Sequence, residues 1–410
     1  MRIQKHSCLI ALSLLLTSLI QSSCSNPVMD ASGFVNCQNG TNPTPIKQDF
    51  KFPGDLLFAK KDTSEIVAFN GETHELASIY TPPRDAYYNT SLSPDSKKLI
   101  IFYQEPSDRK TLFIVILSNL GTIETKNIAL PISEQIQGKA NTWLSGGWVS
   151  NSYLQGILYD KENHETNLQE SWLLILEQLE WKSLSSIHSS LDPDKNSGFS
   201  ISPDLTRVLY VDKRHQLVLY DLIQNQAVWT YRDYDGISPY VYSPGLADAT
   251  WSDDGKMLAT NISNYANQYQ PSILILDQSG NILHLMDFGN GQLGLSWSNN
   301  QKFLSFWGNQ STGLTIGGGS RPVIRVMDME YGLVKDLCML GENIEPFGEI
   351  VWSPDQQFLA YTVQDRNAKR EELILQKLND PQLQIVPLYD ESQNYEFLGW
   401  SKEHWDKAKP

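Results

Sequence analysis

The stretch Trp251-Ser252-Asp253-Asp254-Gly255-Lys256-Met257-Leu258-Ala259 decides how this chain is read. A short apolar strand ends at Trp251, a tight polar turn follows, and a second strand starts at Met257. Ser and Asp side chains satisfy turns by bonding backbone groups two residues on, and Pro presets φ at the second turn position. Variants recur as Leu92-Ser93-Pro94-Asp95, Val149-Ser150-Asn151, Ile201-Ser202-Pro203-Asp204, Trp297-Ser298-Asn299-Asn300, Trp352-Ser353-Pro354-Asp355 and Trp400-Ser401-Lys402. Only the copy at Trp251 carries the Gly, and the copy at Ser150 has lost the Pro-Asp pair.

The Ser-to-Ser spacings are 57, 52, 50, 46, 55 and 48 residues. A period of about fifty fits a four-stranded propeller blade and excludes solenoids of shorter repeat. After each turn comes an apolar run such as Leu99-Ile100-Ile101-Phe102 or Phe358-Leu359-Ala360-Tyr361, rich in strand-forming residues. A third run follows, as in Ile273-Leu274-Ile275-Leu276-Asp277, and then a fourth. Residues 55–80 supply three strands with no turn before them, and Phe397-Leu398-Gly399-Trp400 supplies a first strand with little chain after it. Joined, these form one composite blade that ties the termini together and removes open sheet edges. The expected fold is all-β: a β-propeller of seven four-stranded blades with terminal-strand closure. Six or eight blades remain open, depending on the degenerate copy at Ser150.

The repeat resembles the WD40-like, TolB-type β-propeller repeat, with its Trp-Ser-Pro-Asp-Gly turn before an apolar strand. The resemblance spans roughly residues 54–405 and implies a rigid ring whose function sits in its loops. The same repeat type builds propellers of prolyl oligopeptidase relatives. Those carry a hydrolase domain for which no chain remains after residue 405, and a Gly-x-Ser-x-Gly elbow is missing.

The chain opens with Arg2 and Lys5, an apolar run over residues 9–16, and Ser22-Ser23-Cys24. A basic start, a short apolar core and small residues read as an export signal, too short for a membrane span. Ser-Ser-Cys resembles a bacterial lipoprotein signal, which implies lipidation of Cys24. The family's usual Leu three residues before the Cys is Gln21 here. Ordinary cleavage and secretion is the alternative. The division is therefore 1–23 signal peptide, 24–53 flexible tether, 54–405 propeller and 406–410 tail. Of four cysteines, Cys8 leaves with the signal and Cys24 carries lipid, so Cys37 and Cys338 remain for a disulfide in an oxidising compartment, or stay unpaired.

Net charge is −15 and becomes more negative once Arg2 and Lys5 are lost. Such a chain repels nucleic acid and anionic headgroups, so membrane contact is expected through the lipid anchor only. His74, His164, His188, His215, His284 and His404 are scattered without metal-ligand spacing, so neither metal nor cofactor is expected. The Asp-rich turns lack the ligand spacing of a calcium loop.

The long loops fall on one propeller face, where strand two meets strand three and blade meets blade. Residues 230–248 hold Tyr231, Arg232, Tyr234, Asp235, Tyr240 and Tyr242; residues 261–272 hold Tyr265 and Tyr269; residues 307–322 hold Trp307 and Arg321. Tyr offers large amphipathic contact area at small entropy cost, and loops on rigid scaffolds are where binding sits. The expectation is a non-enzymatic, membrane-tethered extracytoplasmic module, in the cell or outer membrane, binding a protein or glycan with the loops of blades four to six. One alternative is a lactone or glycoside hydrolase with Asp233, Asp235 and Asp248 in the funnel; another is a structural subunit of an envelope complex. The same tyrosines could instead pack their own loops.

Overall fold

The computed structural model describes residues 34, 43–61, 63–83, 87–105, 108–129, 142–160, 169–183, 199–212, 216–231, 249–264, 270–287, 294–311, 320–337, 340–341, 344–365, 370–380, 382–386, 395–405 and 407. Strand β1 (Thr44–Pro45) precedes the ring, and β2 (Asp55–Lys60), β3 (Ile66–Asn70) and β4 (Leu76–Tyr80) lie in blade 1. Blade 2 holds β5 (Tyr87–Leu92), β6 (Lys98–Glu105), β7 (Asp108–Ser118) and β8 (Ile123–Ala129). Blade 3 holds β9 (Thr142–Ser150), β10 (Tyr153–Asp160), β11 (Gln169–Ile175) and β12 (Glu180–Ser183). Blade 4 holds β13 (Phe199–Ile201), β14 (Arg207–Val211), β15 (Leu217–Asp221) and β16 (Gln226–Tyr231). Blade 5 holds β17 (Thr250–Trp251), β18 (Met257–Asn264), β19 (Gln270–Asp277) and β20 (Ile282–Asp287). Blade 6 holds β21 (Ser296–Trp297), β22 (Phe303–Ser311), β23 (Ser320–Asp328) and β24 (Leu333–Asp336). Blade 7 holds β25 (Ile344–Trp352), β26 (Phe358–Asp365), β27 (Arg370–Lys377) and β28 (Leu383–Val386), and β29 (Tyr395–Ser401) returns to blade 1.

Seven four-stranded antiparallel blades form a β-propeller, so the copy at Ser150 is a true blade. Blade 1 runs β29-β2-β3-β4, with Asp55 opposite Ser401 and Leu56 opposite Trp400. The two ends of the chain thus share a sheet. Innermost strands stand side by side: β29 by β5, β5 by β9, β17 by β21, β21 by β25 and β25 by β29.

The repeated turn explains its own sequence. In blade 5, Ser252 Oγ donates to Asp254 Oδ1 at 2.8 Å, Lys256 N donates to the same oxygen at 3.0 Å, and Met257 N donates to Ser252 Oγ at 2.9 Å. The same three bonds recur from Ser93, Ser202, Ser298 and Ser353. Each of these serines is buried. The residue three after the Ser has positive φ: Ser96 at 58°, Leu205 at 58°, Gly255 at 70°, Gln301 at 62° and Gln356 at 61°. The turn's side-chain bonds hold the left-handed residue in place even where Gly has been lost.

Apolar residues alternate onto the faces between blades. One cluster joins Leu209, Leu217 and Leu219 of blade 4 to Trp251, Leu258 and Leu274 of blade 5. Another joins Ala259, Ile273 and Ile275 to Leu304, Phe306 and Met327 of blade 6. Burial of each such large side chain contributes about 2–3 kcal/mol.

Residues 43–53, expected as the end of a flexible tether, are instead packed on the ring. β1 adds a fifth, parallel strand outside β28, with Thr44 opposite Gln384 and Ile46 N donating to Ile385 O at 2.9 Å. Phe50 lies edge-on to Phe358 at 5.8 Å, and Phe52 lies edge-on to Trp400 at 5.4 Å. Upstream, Phe34 is buried against Phe303 at 5.3 Å, in a cluster with Leu337 and Leu340. The polar composition of this stretch conceals four apolar anchors, each filling a gap between blades. Cys24, Cys37 and Cys338 lie outside the described residues.

Candidate functional site

The regular repeat breaks at β25. Pro346 pairs with Val363 and Ile350 with Tyr361, so Phe347, Gly348 and Glu349 all stand opposite the single residue Thr362. Such bulges re-aim side chains next to sites. A Cβ on Gly348 would lie 2.2 Å from Thr362 Oγ1, so only glycine fits there. Trp307 Nε1 donates to Gly348 O at 3.2 Å and pins the bulge from blade 6. Behind Trp307, the ring of Tyr361 packs edge-on at 5.2 Å, and burial keeps its hydroxyl protonated as it meets Gln376 Oε1 at 3.1 Å. Gly294 closes the assembly at φ 69°; a Cβ there would lie 3.2 Å from Trp307 Cδ1.

The bulge places Phe347, 49% exposed, and Glu349 on a cavity of about 670 Å³ walled by the inner strands of blades 5, 6 and 7. Trp251, Trp297, Trp307 and Asp253 form its other walls. That volume lies in the range of small-molecule sites. A second cavity of about 380 Å³ lies across β17, among blades 2, 3, 4 and 5, and shares Trp251 and Asp253 with the first.

The cavities are acidic. Asp95, Asp253 and Glu349 line them, and among the described lining residues there is no Lys or Arg. Asp253 stands open to the channel, yet the protein around it and then the Asp254 carboxylate raise its pKa above the usual carboxylate value. Partial burial pushes Asp254 the same way, but bonds from Lys256 N, the Lys256 ammonium and Ser252 Oγ outweigh it and hold Asp254 below that value. Two adjacent carboxylates are thereby driven apart: one is committed to the turn, the other faces the channel.

Of the residues singled out in the sequence, three are described. Trp307 lies within β22 rather than in a loop, is buried, and meets the cavity as part of its wall. Tyr231 ends β16 on the outer side of blade 4, half-buried, 6.0 Å from Trp229 and packed against the blade 4–5 cluster. Arg321 lies in β23 opposite Gln310. Arg232, Tyr234, Asp235, Tyr240, Tyr242, Tyr265 and Tyr269 lie outside the described residues, as do Asp233 and Asp248. Phe347, Glu349 and Asp253 were missed as site residues. The long Ser298-to-Ser353 spacing and the Gly348 inside a strand run were the signals that pointed to a bulge.

Apolar side chains also stand exposed on the rim, at Ile282, Leu283 and Leu285 on β20 and at Tyr331 and Leu333 in blade 6. Gly332 and His284 touch there, for a Cβ on Gly332 would lie 2.9 Å from His284 Cε1. Among the described residues, no three His, Cys, Asp or Glu side chains gather as a metal site.

No family model matches the chain. No curated protein matches it either. Solved structures do. An oligogalacturonate lyase in complex with manganese superimposes with a TM-score of 0.53 at 15% identity, covering 82% of this chain and 88% of that one. The oligogalacturonate lyase of Vibrio parahaemolyticus gives 0.49 at 15% identity, over 78% and 85%. The β-propeller domain of Myceliophteria thermophila Cps50 (Swd1) gives 0.46 at 12% identity, over 82% and 98%. At these identities the likeness is one of fold.

Proposed function

We propose that this protein is an extracytoplasmic binding module of the TolB-like propeller type, tethered to the membrane through a lipid on Cys24, that takes an oligosaccharide into its central channel. The observation that carries this reading is the β25 bulge, which turns Phe347 and Glu349 onto an aromatic-walled cavity of about 670 Å³. An exposed Phe ring suits the apolar face of a sugar, and carboxylates suit its hydroxyls or an amine. The acidic lining disfavours a polyuronide such as the substrate that names the two lyases. Titration calorimetry with the trisaccharides of glucosamine, glucose and galacturonate tests the reading. The glucosamine trimer binds best and the galacturonate trimer worst, and Phe347→Ala weakens binding by about tenfold without moving Tm. Absence of binding by all three overturns it.

A hydrolase is the second reading, favoured by Asp253 facing both cavities with its pKa held above the usual carboxylate value, the direction a general acid needs. Chromatography of the same mixtures separates the two: intact sugar supports the binder, and cleavage abolished in Asp253→Asn supports the hydrolase.

A further inference from the structure

Neighbouring blades are latched at the channel by tryptophan. Trp297 Nε1 of blade 6 donates to Thr250 O of blade 5 at 3.1 Å, and Trp352 Nε1 of blade 7 donates to Ser296 O of blade 6 at 3.1 Å. Trp148 Nε1 of blade 3 reaches Ser91 O of blade 2 at 2.9 Å. In these three bonds the acceptor is the residue two before the turn serine, whereas Trp400 Nε1 of blade 1 turns to Pro53 O at 2.7 Å. For Trp251 that acceptor would be Ser200 O of blade 4. No such bond forms: Trp251 Nε1 is buried without a partner, although the side chain is only 9% exposed. Across the same seam Ser200 Oγ donates to Ala249 O at 3.4 Å, so a polar contact joins blades 4 and 5 without involving the indole.

A buried N–H without an acceptor costs about 1–3 kcal/mol; the Trp181 and Trp405 indoles are left the same way, but neither lines either of these two cavities. Trp251 also belongs to the walls of both cavities, and Asp253 two residues on faces each of them. The missing latch and the shared wall have one explanation. We infer that Trp251 is the specificity-determining donor of the channel: its indole N–H is reserved for an oxygen of the bound sugar, a hydroxyl or a ring oxygen, instead of for blade 4. The N–H is itself buried, so contact with a ligand oxygen requires the seam between blades 4 and 5, which lacks the latch, to yield. This inference rests on the oligosaccharide reading and sharpens it, since it assigns recognition to hydrogen-bond acceptors and not to stacking alone.

The test compares Trp251→Phe with Trp352→Phe, using the glucosamine trisaccharide as probe. Both remove an indole N–H at the same cost in volume, but only Trp352 has its N–H bonded. Trp251→Phe is expected to lose affinity about fivefold while melting above Trp352→Phe, which keeps wild-type affinity. In the wild-type protein, the Trp251 indole N–H resonance moves downfield on adding the sugar, a change that a purely structural ring would not give. Unchanged affinity in Trp251→Phe together with an unmoved resonance overturns the inference and leaves the oligosaccharide reading standing. Failure of the wild type to bind any of the three trisaccharides overturns that reading, and this inference with it.

Discussion

Two sides of the ring are built differently. Between blades 7 and 1 the ring is sewn several times over. β29 pairs with β2, β1 covers the edge of β28, and Phe52 wedges between Trp400 and Phe69. His404 and the Trp405 backbone N–H both bind Asp55, at 2.8 and 2.7 Å. Between blades 4 and 5 the apolar cluster is present but the tryptophan latch is not, and both cavities meet there. The contrast teaches that apolar burial is enough to assemble a blade pair, while polar fastening is added unevenly around the ring. Polar and aromatic contacts are concentrated where the circle is joined, and are fewer where it is hollow.

The sharpest test of the fastened side is redox. Phe34 shares a cluster with Leu337 and Leu340, and we propose that Cys37 and Cys338, a few residues from these, form a disulfide. A cross-link over so long a loop is worth ~5 kcal/mol in the entropy model. Reduction is expected to lower the urea midpoint steeply, and peptide mapping without reductant to recover the two cysteines as one linked pair. Free thiols at both positions would remove this fastening from the comparison.

Phe52→Ala comes next. It empties a site shared by blades 1 and 7 and the N-terminal strap of residues 43–53, and large buried rings cost about 3–5 kcal/mol when truncated. Chemical denaturation measures it. A loss below ~1 kcal/mol would show that the strap merely rests on the ring.

A smaller effect is expected at the open seam, and its sign depends on pH. The folded protein raises the pKa of Asp253 above its unfolded value near 3.8, so it holds the proton more tightly and stability falls as pH rises through that window. The Asp254 carboxylate that acts on it is itself paired with Lys256 at 3.0 Å. Asp253→Asn should therefore melt above wild type at neutral pH, with the gap closing as pH falls towards 3.8. Equal melting at neutral pH would mean the channel side carries no such tension.

The smallest change is Gln356→Gly. Gln356 sits at φ 61°, where the blade 5 turn has Gly255, and relief of that backbone should add ~0.5 kcal/mol after the entropy of glycine is subtracted. A loss of stability would mean that the Gln356 side chain does more for blade 7 than its backbone costs.

Seven blades were legible because the turn serine and its partner lie two residues apart, and local chemistry survives in a one-dimensional reading. The composite blade was legible for a similar reason: an orphan set of three strands at one end and one strand at the other must meet. The site was not. The bulge at Phe347 exists only as a register between β25 and β26, and the missing bond of Trp251 depends on a carbonyl fifty residues away in another blade. Tyr231, an aromatic beside a long loop, stands half-buried 6.0 Å from Trp229, a contact the sequence does not show. The strap was read as a tether because Phe34, Ile46, Phe50 and Phe52 follow no period, and irregular anchors leave no signature.

The parallel pairing of β1 with β28 has a mechanical meaning. A strand drawn lengthwise along its neighbour opposes the pull with its ladder bonds in shear, all strained together, where a hairpin pulled from its open end would unzip one bond at a time. Any tension on the N-terminal segment that is passed to β1 is met in that geometry, with Phe50 and Phe52 seated behind it in the join between the first and last blades. A pull from that end is thus met first at the join of the first and last blades.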